Sequence, residues 1–196
     1  MLELLLNKLR LNINEKYIYY IRITGALVLI STFVALLLGA VNMITEDKIK
    51  ANLISKFSEA VQIIFPESDK INEINVTAEP PVDVVYEVSK SGELIGYCIK
   101  TLPSGFKDKI EIIVGTDLSG SVIGIQIMTN SETPGLGTRV FEENYLSAFN
   151  GMNGQIEFGY GIDAVAGATV TSNAVLAGIN AALAVEGLFD NGGAEQ

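Results

Sequence analysis

The sequence predicts an α+β protein: a single N-terminal transmembrane helix, then an extracytoplasmic domain built from an antiparallel sheet and flanking helices. Three observations predict it. Ile23 to Ile44 is an apolar run without a single charge, two strand–turn–strand patterns lie between Val82 and Thr129, and helical spacing of apolar residues precedes and follows them. The organisation read from these is a cytoplasmic amphipathic lead (1–22), a transmembrane helix (23–44), a stalk helix (45–66), a folded outer domain (67–190) and a short tail (191–196).

The apolar run spans about 33 Å as a helix, enough for a bilayer core. It is longer than a secretory signal core, and no A-x-A cleavage pattern follows it. A helix apolar on all sides would need a larger protein around it to be a buried core element. Charge sets the orientation. Residues 1–22 hold four cations (Lys8, Arg10, Lys16, Arg22) against two carboxylates, net +2, and the remainder holds nine cations against 21 carboxylates, net −12. Basic flanks stay in the cytoplasm, which puts the N-terminus inside and the acidic domain outside the cell membrane. Leu2, Leu5, Leu6 and Leu9 with Lys8 and Arg10 read as a short helix lying on membrane lipid. The span holds no ionisable residue for an ion pathway, so it is expected to dock, with Thr24, Gly25, Ala26, Ser31, Thr32, Gly39 and Ala40 available for helix packing. An acidic outer domain argues against a nucleic-acid partner.

After the span, Thr45 is expected to cap a new helix, with Glu46 and Asp47 in its first turn. Ile49, Leu53, Phe57, Val61 and Ile64 follow at helical spacing, and Pro66 ends the helix. Residues 66–81, with three prolines, read as a connecting loop. VDVVYEVSKSGELIGYCIKTLPS reads as two strands around a Lys90-Ser91-Gly92-Glu93 turn, and strands near 109–115 and 122–129 flank Asp117-Leu118-Ser119-Gly120. This gives a sheet of about four strands. A short helix is expected over 144–149, irregular chain over 151–161, and a final helix from Thr171 to Leu188.

One cysteine, Cys98, and no histidine limit the chemistry. No intrachain disulfide can form, most zinc sites and His-assisted nucleophiles are removed, and an iron–sulfur cluster lacks its thiolates. Catalysis by this chain alone would rest on carboxylates, hydroxyls or a bound cofactor. Two stretches could bear a site. SETPGLGTR (131–139) follows a strand and makes a tight Pro-Gly turn with exposed amides, either a plain turn or a place of close approach to a ligand. AVAGATVTSNAV (164–175) gathers Thr169, Thr171 and Ser172 at the start of the last helix. Thr169 or Thr171 can cap that helix, and the same helix N-terminus can hold a phosphate; the two readings are compatible.

The run Asp163-Ala-Val-Ala-Gly-Ala-Thr169, followed by Val-Thr-Ser, resembles the flavinylation motif of FMN-binding domains, approximately D-x-x-[ST]-G-A-[ST] followed by x-[ST]. Together with SETPGLGT at 131–138 it is similar to the G subunit of Rnf electron-transport complexes and to the related C subunit of sodium-pumping NADH:quinone oxidoreductases. The likeness covers most of the chain. It implies FMN esterified through its phosphate to Thr169 by a separate flavin transferase that uses FAD and reads Asp163 and Gly167. It implies that Thr171 and Ser172 donate to the phosphate or cap the helix, with the small Gly167 and Ala168 leaving room for approach, and that Glu132, Thr133, Pro134, Gly135, Leu136, Gly137 and Thr138 form a wall beside the flavin and its linkage. Ala166 departs from the motif, standing where Ser or Thr is usual; the expectation is that it tunes geometry. The implied function is an electron-relay subunit of an ion-translocating ferredoxin:NAD⁺ oxidoreductase, partnered by the other membrane and peripheral Rnf subunits. The length of 196 residues favours the G subunit. The alternatives are the quinone-reductase C subunit, a stand-alone extracytoplasmic flavoprotein, and a cofactor-free membrane-anchored binding module.

Overall fold

The computed structural model describes residues 2–76 and 78–190; side chains are described from residue 17 onward, except at 47, 50, 51 and 186–190. The chain divides into two units, residues 1–53 and 54–196. Helix α1 is assigned over Leu2–Ile64. Its stretch Tyr17–Glu46 is long and apolar enough to cross a membrane, with mean hydropathy 2.4 and none of it buried. Tyr17, Tyr19 and Tyr20 are exposed at its N-terminal end, where interfacial aromatics sit in spanning helices. The expected cap at Thr45 does not occur. No glycine or proline interrupts residues 41–64, the helix runs through, and the Thr45 hydroxyl donates to the Val41 carbonyl at 2.6 Å. The side chains on which the interfacial reading of the lead rests, and the tail from 191, lie outside the described residues.

The second unit is built on a five-stranded antiparallel meander, β1 (Lys70–Ile74), β2 (Val82–Lys90), β3 (Glu93–Thr101), β4 (Glu111–Thr116) and β5 (Val122–Thr129), in that spatial order. Four of these follow the sequence pattern. β1 is the correction: it lies inside the stretch read as a loop. It is a short edge strand of sequence KINEI with only Ile71 and Ile74 apolar, too weak a period-2 signal to read. Ser91 (φ 53°) and Gly92 (φ 85°) both take positive φ, as a two-residue type I′ hairpin requires. In the second hairpin the Asp117 carboxylate accepts from the amides of Ser119 (2.8 Å) and Ser121 (3.0 Å).

Strand alternation sends side chains to two cores. Val85, Ile99, Ile112 and Val114 pack with Val175, Ile179 and Ala182 of the last helix, α3 (Thr169–Asp190). Val88, Cys98 and Ile113 pack on the other face with Ala60, Val61, Ile64 and Phe65 from the end of α1. Gly96 and Gly115 make room there: a Cβ at 96 would lie 2.8 Å from the Phe65 ring, and one at 115 would lie 2.3 Å from Ile64 Cγ2. α3 starts two residues before the expected Thr171 and approaches the sheet closely at Gly178, where a Cβ would meet Thr101 Oγ1 at 2.9 Å.

Three connections lead to the site. Residues 102–110 join β3 to β4 as a projecting loop, closed by the Ile110 amide on the Pro103 carbonyl at 2.9 Å. After β5 the chain turns through 130–136 into a 3₁₀ segment, Gly137–Phe141. The expected short helix is α2 (Glu143–Leu146) continued by a 3₁₀ turn. Residues 151–161 are irregular as expected and are tied to α3 by Asn180.

Candidate functional site

The two motifs meet. The 132–137 turn, the first turn of α3 and the tip of the 102–110 loop enclose a cavity of ≈ 280 Å³. Of the residues singled out by sequence, Glu132, Thr133, Leu136, Gly137, Gly167, Ala168, Thr169 and Thr171 line it. Pro134, Gly135, Thr138, Asp163 and Ser172 do not. Pro134 and Gly135 form the exposed tip of the turn, which Thr138 closes by accepting the Gly135 amide on Oγ1 at 2.9 Å. Asp163 is exposed on the approach to α3.

The three hydroxyls separate sharply. Ser172 is fully buried; its Oγ accepts the Val165 amide at 3.0 Å and donates to the Ala168 carbonyl at 3.0 Å, pinning the chain that enters the helix. Thr171 is buried and donates to Glu132 Oε2 at 2.7 Å. Neither Thr169 nor Thr171 is the N-cap, because both already lie in the helix. Thr169 is exposed at the lip of the cavity, and among the described residues its hydroxyl has no hydrogen-bond partner. The amides of residues 169–171 precede the first helical carbonyls and so are open to an anion at that lip.

Gly167 carries φ 82°, a conformation that an L side chain adopts at a cost of about 1–2 kcal/mol. It also allows close packing, since a Cβ there would lie 3.1 Å from Leu136 Cδ1. Gly137 is buried for the same kind of reason: a Cβ would meet Glu132 Oε2 at 2.8 Å and Thr171 Oγ1 at 3.2 Å. Glu132 is 5% exposed, and its Oε1 accepts the amides of Phe106 (2.8 Å) and Lys107 (3.2 Å).

Sequence reasoning missed two lining residues. Phe106, 67% exposed, projects from the tip of the 102–110 loop, and Val170, 51% exposed, follows Thr169. An aromatic in the otherwise polar tip SGFKDK was the available signal for Phe106. Phe106, Leu136 and Val170 together give the cavity an exposed apolar rim beside a polar helix end, an arrangement suited to a flat apolar group joined to an anion. A larger hollow of ≈ 620 Å³ runs along β5 between Ile63 and α2, but it gathers none of the motif residues. Cys98 sits in the sheet core, where burial pushes its thiol up to about 12.

Known proteins are similar to this chain. Residues 105–184 match the family model described as FMN-binding domain, a range that begins at the Phe106 loop and ends in α3. The chain is 28% identical over 182 residues to the G subunit of the Na⁺-translocating ferredoxin:NAD⁺ oxidoreductase complex of Acetobacterium woodii, covering 81% of this chain and 87% of that one. It is 27% identical to the G subunit of the ion-translocating oxidoreductase complex of Methanosarcina acetivorans, covering 83% and 92%. It is 24% identical to the proton-translocating counterpart of Clostridium ljungdahlii, covering 80% and 86%. The crystal structure of Shewanella oneidensis NqrC shares the fold at a TM-score of 0.50 and 20% identity, over 68% of this chain and 88% of that one. The resemblance read in the sequence, to the FMN-binding domains of Rnf-type G subunits, is therefore borne out.

Proposed function

We propose that this chain is the single-span electron-relay subunit of an Rnf-type, ion-translocating ferredoxin:NAD⁺ oxidoreductase, with FMN held by a phosphoester on Thr169. The observation that carries the reading is the free Thr169 hydroxyl at the lip of the cavity, when Thr171 and Ser172 are both committed to protein partners. The site fits the group chemically: the open end of α3 suits the phosphate, and Phe106, Leu136 and Val170 suit the ring system. Bound FMN supplies the redox chemistry. The chain's own residues anchor it at Thr169, cover it with the apolar rim and fix the two walls relative to each other.

Attachment proceeds at the Thr169 oxygen. It displaces AMP from the flavin-side phosphorus of FAD and releases its proton, in a reaction run by a separate transferase. Exposed Asp163 and Gly167 lie where such an enzyme could read them. Ala166 is also exposed. The charge asymmetry across Tyr17–Glu46 supports a cytoplasmic N-terminus and an FMN domain outside the cell membrane, next to the remaining subunits of the complex. Outside the membrane a dissociable flavin is lost by dilution, whereas an ester keeps the site loaded.

The test is in-gel flavin fluorescence of the full chain co-produced with a flavin transferase, beside Thr169→Val. A fluorescent wild-type band and a dark variant are expected. A dark wild-type band, with the transferase active on a control substrate, would return the chain to a cofactor-free anchored binding module.

A further inference from the structure

Three separate stretches of chain form the cavity, and all three end on one carboxylate. Oε1 of Glu132 accepts the Phe106 and Lys107 amides of the 102–110 loop, and Oε2 accepts the hydroxyl of Thr171 in the first turn of α3. Two glycines are shaped around it. A Cβ at Gly105 would lie 2.5 Å from Oε1, and one at Gly137 would lie 2.8 Å from Oε2. A carboxylate this buried is costly unless donors surround it, and an apolar residue would fill the space at less cost. Both oxygens accept from the protein, two amides on Oε1 and one hydroxyl on Oε2, and a carboxylate at this place disfavours a phosphate in the interior.

We propose that Glu132 is a positioning residue, a clamp that holds the Phe106 loop and the start of α3 as one wall. It also selects the acceptor by burial: Thr171 is 2% exposed with its hydroxyl held on Oε2, which leaves exposed Thr169 as the free hydroxyl at the lip. The selection rests on the flavin reading above; the clamp does not.

The full chain in detergent, produced without transferase and therefore flavin-free, is compared by amide hydrogen exchange with Glu132→Ala, Glu132→Gln and Thr171→Val. In Glu132→Ala, exchange at Phe106, Lys107 and the first bonded amides of α3 (Ser172 to Val175) should rise about tenfold or more, with β2–β4 unchanged. Glu132→Gln still offers a carbonyl oxygen and should restore protection of the loop. Thr171→Val should loosen α3 alone. Wild-type protection at both segments in Glu132→Ala overturns the clamp, and so does loss spread evenly through β2–β4. In a second arm the same proteins meet purified transferase and FAD. Glu132→Ala should lose about tenfold in kcat/KM for loading, one hydrogen-bond network's worth, and Glu132→Gln should recover it. Undiminished loading of Glu132→Ala overturns the acceptor selection. An unloaded wild type beside the expected exchange pattern overturns the flavin reading and supports the clamp.

Discussion

Ile64 sits directly over Gly115, so close that a Cβ at 115 would come within 2.3 Å of its Cγ2. At this point the end of α1 packs on bare backbone, between its side-chain contacts with Val88, Cys98 and Ile113. Gly115→Ala should force Ile64 off its seat and cost about 1–3 kcal/mol, an overpacking penalty. Thermal melting of the full chain checks this, and an unchanged Tm would mean that the helix end yields freely.

Asn180 holds the irregular 151–161 segment by a two-bond exchange with the backbone of Ile156, accepting its amide at 2.8 Å and donating to its carbonyl at 2.9 Å. Asn180→Ala strands both buried partners and should cost about 1–3 kcal/mol. Limited proteolysis is the sharper readout: cleavage within 151–161 should appear in the variant before any cut in the sheet.

Cys98 should be chemically silent in the folded protein. With its thiol pushed up to about 12 by burial, only about one molecule in ten thousand carries the thiolate at pH 8. Iodoacetamide should leave the native chain unlabelled and modify it once per chain after denaturation. Rapid native labelling would show that the sheet opens on the time scale of the reaction.

Acid should weaken the outer sheet through Glu111. Burial alone would raise its carboxyl, but hydrogen bonds from Lys100 and Thr129 and the charge of Lys100 outweigh that and hold it below the ordinary carboxylate value. Its stabilising share is full above the ordinary value and is lost as pH falls through the depressed one. The trio with Asp83 is partly exposed, so the share is about 1 kcal/mol or less. Glu111→Gln should flatten the fall in stability between neutral and strongly acidic pH; equal slopes in both proteins would count against the pairing.

Phe106→Ala should leave attachment at Thr169 intact and strip cover from the flavin. Iodide quenching of flavin fluorescence measures the change, with a steeper Stern–Volmer slope expected for the variant. Identical slopes would place the ring away from Phe106.

The sequence made the larger elements legible because their signals are local. The charge-free run, the Ser91-Gly92 turn and the Asp117 turn each carry their own geometry, and the motif residues on both sides of the cavity were identifiable. What escaped depended on tertiary contacts. β1 has too few apolar residues to announce itself and exists by pairing with β2. Thr45 has the chemistry of a cap, but nothing near it stops the helix. The fates of the three hydroxyls could not be read from their spacing, because Thr171 is decided by a carboxylate 39 residues earlier. Phe106 belongs to the site only because the β3–β4 loop folds back to it.

Each strand of the sheet pairs only with its neighbours in sequence, so the meander can assemble in the order in which the chain is made. The helix bearing Thr169 comes after all five strands, and its buried face needs them for packing. The acceptor hydroxyl is thus presented at the lip only once that docking is finished. Under the proposed attachment, a chain halted before α3 would display no loading site, and loading would report that α3 has docked on the sheet.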